Sequence, residues 1–278
     1  MKSLFLIIAT LLVWPSYGVN GIPVNSRYLS RAGEPSLDEL RFATQLPTDL
    51  PQRVSGFAYD GKKFWVFIYH GQGRYATFDP VTLAWEKSNS RAQQKIIAEV
   101  AGDFQSPGGI CFIAGKLWVA GSYGQSFGSI DIGQWQIEHL FRRKQRDDPA
   151  SQSYAALASD GANLWIAWHW FKYRLPQSQT QLLLKIDRET GAAVKEYPLP
   201  PGPQGDLTHG LTWDGARLWH VKSGRLCSID PATGSTIARY TLNQIKRPSG
   251  LAWDGEALWI VEFDGKIWRL PFRQFPGN

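Results

Sequence analysis

Four of the five histidines, His70, His169, His209 and His220, fall in segments that also carry aromatic and basic side chains. One such segment, Trp168-His-Trp-Phe-Lys-Tyr-Arg174, mixes ring planes with cations, as a surface that stacks on sugars, aromatic side chains or bases would do. The same rings would serve equally as an apolar lid. His70, His169 and His209, joined by a carboxylate such as Glu262, would form a metal shell if they converged. No His-Glu-x-x-His or Cys-x-x-Cys spacing is present, so no metal is assigned and no cofactor is named; hydrogen-bonded pocket histidines are the simpler reading. Glu262 and His209 are the candidate acid–base pair, because a carboxylate partly removed from water can move protons near neutral pH. A salt bridge from Glu262 to Lys222, Arg225 or Lys266 is the competing structural role.

These residues must be positioned by something, and the chain supplies one pattern written five times. Its clearest copies are Gly210-Leu-Thr-Trp-Asp-Gly-Ala-Arg-Leu-Trp219 and Gly250-Leu-Ala-Trp-Asp-Gly-Glu-Ala-Leu-Trp259, with weaker ones at 56–65, 109–118 and 156–165. The second aromatics, Trp65, Trp118, Trp165, Trp219 and Trp259, are 53, 47, 54 and 40 residues apart, room for four short strands per unit. Asp60-Gly61, Ala114-Gly115, Asp160-Gly161, Asp214-Gly215 and Asp254-Gly255 read as two-residue hairpin turns at positive φ. Third strands are predicted at 75–78, 128–132, 182–186, 225–229 and 266–270, and fourth strands at 193–197 and 236–242. Both faces of the inner strands are apolar or small, which suits sheets stacked between two neighbours.

Five such sheets arranged radially form an all-β, five-bladed β-propeller of four-stranded antiparallel blades. The fifth unit ends after its third strand, so Leu40-Arg-Phe-Ala-Thr-Gln-Leu46 is predicted to supply the missing one and close the ring. The rival for that segment is a short helix, since Ser36 and Glu39 have capping-box spacing. Residues repeated in every unit pack and turn. Function is therefore sought in those that break the repeat at the end of the channel where second-to-third and fourth-to-first strand connections emerge. That end, the top, is predicted to present Tyr69, His70, Arg74, Tyr123, Trp168, His169, Trp170 and Lys222 as ligand-binding residues, with Glu262 and His209 as catalytic ones.

The last repeat, with Trp268-Arg-Leu-Pro271 behind it, resembles bacterial propellers related to the plant and bacterial type of glutaminyl cyclotransferase, over residues 54–272. The resemblance implies five blades and an acyl transfer in which an acid or base helps a terminal amino group attack its own side-chain amide, leaving pyroglutamate. That family typically opens a blade with Phe-Thr-Gln/Glu-Gly-Leu; Leu207-Thr-His-Gly-Leu211 is similar, with His209 at the variable centre. Where the family has Glu after the second-strand Leu-Phe, this chain has His220 after Leu218-Trp219, and Glu262 lies two residues further along the strand in the next blade.

Lys2, the apolar run Leu4 to Trp14 and the small residues Ser16 and Gly18 form a signal-peptide pattern, giving a signal at 1–18, a leader at 19–39 and one propeller domain at 40–275. A secreted or periplasmic location follows, with no membrane span. Cleavage would lower the net charge from +6 to +5 by removing Lys2 alone. The basic run Arg142, Arg143, Lys144 and Arg146 is answered at once by Asp147 and Asp148, so nucleic acid is not an expected partner. Cys111 and Cys227 sit in separate units and are expected to remain free, buried thiols. Two functions are open. One is a monomeric propeller binding a small molecule, peptide or protein at its top face; the other is a cyclotransferase-like enzyme.

Overall fold

The computed structural model describes residues 35–51, 53–69, 73–87, 90–102, 107–121, 126–142, 151–171, 180–199, 208–222 and 224–273. Twenty strands among these residues form five four-stranded antiparallel sheets. Blade one is β2 (Val54–Tyr59), β3 (Phe64–Ile68), β4 (Tyr75–Phe78) and β5 (Trp85–Lys87), and blade two is β6 (Pro107–Ile113), β7 (Lys116–Gly121), β8 (Ser126–Asp131) and β9 (Gln136–Arg142). Blade three is β10 (Ser151–Ser159), β11 (Asn163–Phe171), β12 (Thr180–Asp187) and β13 (Ala193–Pro198). Blade four is β14 (Gly210–Trp213), β15 (Leu218–Lys222), β16 (Arg225–Ile229) and β17 (Thr236–Thr241). Blade five contains β18 (Pro248–Trp253), β19 (Ala257–Glu262) and β20 (Lys266–Pro271), and its outer strand is β1 (Arg41–Gln45), with Arg41 opposite Arg269 and Gln45 opposite Lys266. The ring is therefore closed as the sequence predicts. The capping box itself does not form: Ser36 precedes a single 3-10 turn, Leu37–Glu39, but its hydroxyl donates to Glu39 Oε1 at 3.1 Å and its backbone N–H to the Pro271 carbonyl at 2.9 Å.

The first strand of each blade lines the channel, and Phe57, Ile110, Leu157, Leu211 and Leu251 point apolar side chains into the lining at equivalent positions. Neighbouring first strands approach so closely that a Cβ on Gly109 would stand 2.5 Å from the Leu157 nitrogen, and one on Gly210 would stand 2.7 Å from the Leu251 nitrogen. Only glycine fits there. Apolar side chains between adjacent blades form five clusters, one per interface, which is the core of the molecule. The shaft is thus packed and apolar, leaving the polar chemistry to its ends.

Four of the five repeat turns differ from the expected two-residue hairpin. In blades one, three, four and five the loop has four residues, with Tyr59 opposite Phe64, Ser159 opposite Leu164, Trp213 opposite Leu218, and Trp253 opposite Leu258. Only the glycine of each of these turns has positive φ. The aspartate acts through its side chain: in blade four, Asp214 Oδ1 accepts from the Ala216 and Arg217 nitrogens at 2.8 and 2.7 Å, while Oδ2 accepts from the Trp219 indole at 2.6 Å. The same indole bond joins Asp60 to Trp65, Asp160 to Trp165, and Asp254 to Trp259. One carboxylate therefore fixes both the turn and the principal tryptophan of its blade. Blade two lacks the aspartate, keeps the two-residue turn, and places Ala114 at φ 49° before Gly115 at φ 79°. L-residues with a Cβ resist that region, and asparagine tolerates it better. Ala114→Asn, at an exposed position, is expected to stabilise the protein by about 1 kcal/mol, seen as a higher urea midpoint at unchanged slope.

One helix interrupts the repeat. α1 (Arg91–Ala101) connects β5 to β6 at the top and starts with a reciprocal capping box between Ser90 and Gln93. Ile97, Ala98, Val100 and Ala101 are buried, and Ser126 Oγ donates to the Val100 carbonyl at 2.8 Å, seating the helix on blade two. No helix among the described residues is long and apolar enough to cross a membrane. Cys111 on β6 and Cys227 on β16 are both free and buried, and burial raises both thiol pKa values, which keeps them protonated.

Candidate functional site

The top of the molecule carries the residues singled out from the sequence, but it uses them differently. His70 and Tyr123 lie outside the described residues, as does the side chain of Trp170 on β11. Trp168 is buried toward blade two with Phe127 and Tyr154, so there its ring is part of the core. Tyr69 is half-buried with its ring 6.0 Å from that of Phe263, and the Arg247 guanidinium lies 4.5 Å over Phe263 on the other loop. Arg74 is exposed at the start of β4's hairpin. At the channel mouth His209 is exposed and shares with Ser249, Gly108 and Ala156 the lining of a small recess of about 10 Å³.

Beside that mouth, blades three and four meet along a polar seam. Alternation along β11 puts Trp165, Ala167 and His169 on one face, and the first two pack against Leu211 and Leu218 of blade four. His169 is therefore turned toward blade four, opposite Gln181 on β12. Alternation along β15 puts Leu218, His220 and Lys222 on the face that looks back at blade three. Lys222 Nζ donates to Gln181 Oε1 at 3.2 Å and so joins the two blades. All three are buried: His169 is 0%, Gln181 3% and Lys222 7% exposed. Neither ring nitrogen of His169 has a hydrogen-bond partner among the described residues, nor does the buried Thr208 hydroxyl next to His209.

Burial drives the His169 pKa down to about 3, with His209 and Lys222 pushing the same way. It likewise drives His220 to about 4, with Lys222 and Arg239 adding to the effect. Both rings are thus neutral imidazoles in a positive field, each able to donate one N–H and accept at the other nitrogen. Gln181 escaped the reading of the sequence because no motif marks it, and Thr208, although inside Leu207-Thr-His-Gly-Leu211, was not singled out from it. The alternation that places His169 beside Gln181 was the one signal available.

Glu262 is 4% exposed at the end of β19. Its Oε1 accepts from the backbone nitrogens of Lys246 and Arg247 at 2.8 and 3.2 Å, and Oε2 accepts from the Trp268 indole at 2.9 Å. The carboxylate thereby ties the β17–β18 loop to β20. An amide there would oppose an N–H to an N–H donor on one side, so Glu262→Gln is expected to cost about 2 kcal/mol of stability. Chemical denaturation measures this directly, and any activity assay of that variant needs the same control. The fifth histidine, His139, lies on outer strand β9, where it bonds Ser129 and stacks on Trp118. Among the described residues no three His, Cys, Asp or Glu side chains are grouped to hold a metal ion.

The architecture is that of a five-bladed β-propeller. The chain superposes on the glutaminyl cyclase of Myxococcus xanthus with a TM-score of 0.55 and 11% identity, covering 85% of this chain and 97% of that one. A catalytically inactive virginiamycin B lyase of Staphylococcus aureus gives a TM-score of 0.48 at 14% identity, covering 84% of this chain and 100% of that one. BamB of Moraxella catarrhalis gives 0.41 at 16%, covering 83% and 62%. No family profile matches the sequence, and no curated protein sequence matches it. The likeness is one of fold.

Proposed function

We propose that this chain is a secreted or periplasmic propeller that holds a small molecule, peptide or protein partner at the top of its channel, where blades three and four meet, and acts as a monomer. The observation that carries the reading is His169, a fully buried imidazole with no hydrogen-bond partner among the described residues, beside Lys222 and the exposed His209 at the mouth. Buried polar groups without partners are costly and rare, and they recur where a ligand completes the bonding. The signal-peptide pattern at 1–18 supports the location, and Asp147 and Asp148, which partly cancel the basic run at 142–146, argue against nucleic acid. Cyclotransferase chemistry at Glu262 and His209 is the less favoured reading, since both Glu262 oxygens already accept protein hydrogen bonds.

The test is a thermal-shift panel of neutral sugars, amino acids, short peptides and organic acids on the full chain, beside His169→Phe. At least one class is expected to raise the melting temperature of the natural protein and to leave the variant unmoved. No stabilisation by any class, or equal stabilisation of both proteins, overturns the proposal. A peptide with N-terminal glutamine belongs in the panel: release of ammonia from it would put cyclotransferase chemistry in place of simple binding.

A further inference from the structure

Independently of the seam, we infer that the top rim where blades five and one meet docks an acidic segment of a partner protein, with Arg53 and Arg247 on its carboxylates and the rings of Tyr69 and Phe263 against an apolar side chain. Three observations converge. The first is a break in the repeat. Arg53 and Arg247 stand three residues before Gly56 and Gly250 at the entry of neighbouring first strands, and Tyr69 and Phe263 stand four residues after Trp65 and Trp259. In blades two, three and four the same positions hold Ser106, Ser153 and Leu207, then Ser122, His169 and Ser223. An arginine is thus paired with a ring in two adjacent blades alone. Their strands β2 and β18 lie so close that a Cβ on Gly250 would stand 2.5 Å from that of Phe57. Both pairs are held alike: the Tyr69 nitrogen donates to the Arg53 carbonyl at 2.6 Å, and the Phe263 nitrogen to the Arg247 carbonyl at 2.8 Å.

The second observation is uncommitted charge. Arg53, Arg74, Arg225, Lys246 and Arg247 are exposed on the top loops of blades four, five and one, and none has an ion pair among the described residues. At the opposite end Lys63, Lys116, Arg188, Arg269 and Arg273 each meet a carboxylate of the chain. The described acids of those top loops and of the β19–β20 hairpin are Asp49, the buried Glu262 and Asp264, and Lys266 already holds Asp264 at 2.7 Å. The rim therefore keeps an excess of positive charge. The third observation is geometric. The Arg247 guanidinium lies 4.5 Å over the Phe263 ring, whose centroid is 6.0 Å from that of Tyr69, and both rings are half-buried. Stacking fixes the plane of the guanidinium and leaves its N–H edge for a carboxylate. A polypeptide sets carboxylates and apolar side chains next to one another, as this alternation of cations and rings requires. Half-buried rings offer no open face on which a base could stack, and several separate cations along a rim match several carboxylates better than one small anion.

Titrating the full chain into a fluorescent Glu-rich peptide with a central Phe, into its Gln-for-Glu counterpart and into a labelled single-stranded oligonucleotide, read by anisotropy, tests the inference. The acidic peptide is expected to bind, and to lose about tenfold in affinity both in its Gln counterpart and in the double variant Arg53→Gln with Arg247→Gln. Neither guanidinium bonds another described residue, so these variants are expected to fold. Each single change is expected to lose severalfold, which keeps the test decisive if the double variant does not fold. Exchanging the peptide's Phe for Gly is expected to weaken binding to the natural protein and not to Phe263→Ala. Lys62→Gln with Lys63→Gln removes the same charge at the opposite end and is expected to leave the affinity unchanged. An equal loss in that variant overturns the inference, as do no binding of the acidic peptide, equal binding of its Gln counterpart, and tighter binding of the oligonucleotide. The readout is separate from that of the seam: a ligand panel silent through His169 leaves peptide binding at the arginines standing, and failure at the arginines removes this surface alone.

Discussion

Asp214→Ala is expected to destabilise the protein by about 4 kcal/mol, more than any other change in the repeat turns. The Asp214 side chain is fully buried and accepts from two turn nitrogens and from the indole of Trp219, and it also faces the Arg217 guanidinium at 3.4 Å. Alanine leaves a buried indole N–H and two turn amides unanswered at once, and each orphaned buried donor costs about 1–3 kcal/mol. The equivalent change at Asp60 serves as comparison. Trp65 is 8% exposed against 0% for Trp219, so water can recover part of the loss there and a drop of about 2 kcal/mol is expected. Equilibrium denaturation of the two variants measures both, and a loss below 1 kcal/mol at Asp214 would refute the account.

The second large effect is acid sensitivity. His169 and His220 have folded-state pKa values of about 3 and about 4, below the ordinary 6.5. Between those values and 6.5 the unfolded chain binds protons that the folded protein refuses, so stability is fully present above pH 6.5 and falls as pH drops. The loss continues to about pH 4 for His220 and about pH 3 for His169. At roughly 1.4 kcal/mol per histidine per pH unit, the two together remove on the order of 5 kcal/mol between pH 6.5 and 4.5. Urea titrations across that range, in buffers free of carboxylates, check the slope. The double variant His169→Phe with His220→Phe is expected to flatten it, and an unchanged slope would show that other groups govern the acid limb.

The ring was legible because its signals recur. Trp65, Trp118, Trp165, Trp219 and Trp259 mark the same strand five times, and a pattern repeated at intervals near 50 residues admits few architectures. The closing strand could be read from a missing partner on the last blade. α1 was not read, since Ser90 and Gln93 form a cap that occurs once and interrupts the period. The aspartates were read as turn formers and proved to be turn formers that also hold the tryptophans, a bond spanning five residues that backbone preference alone does not encode.

The site was half legible for a related reason. His169, His209 and Lys222 stood out by type, but His169 and Lys222 come from strands of different blades, and Gln181, which pairs across from the first and accepts a hydrogen bond from the second, has no distinguishing context in the chain. Trp168 was chosen for stacking and instead fills the core with Tyr154, because alternation turns it to the face opposite His169. Glu262 was chosen for its acid, and its oxygens are occupied by two loop amides and an indole, bonds that depend on a loop geometry no local pattern specifies.

The pairing of β1 with β20 also sets an order of events during synthesis. Gln45 Nε2 donates to the Asp264 carbonyl across 219 residues, so β1 leaves the ribosome long before its only neighbour exists. Until the fifth blade emerges, β1 is an unpaired strand attached to a growing stack of sheets, and the stack itself presents an open flank at each stage. Contacts of such sequence separation form slowly, and an unpaired strand edge can join a second chain as readily as its own. The fifth blade therefore completes a strand made before the first, and a nascent chain released before it would be left with both of its flanks open.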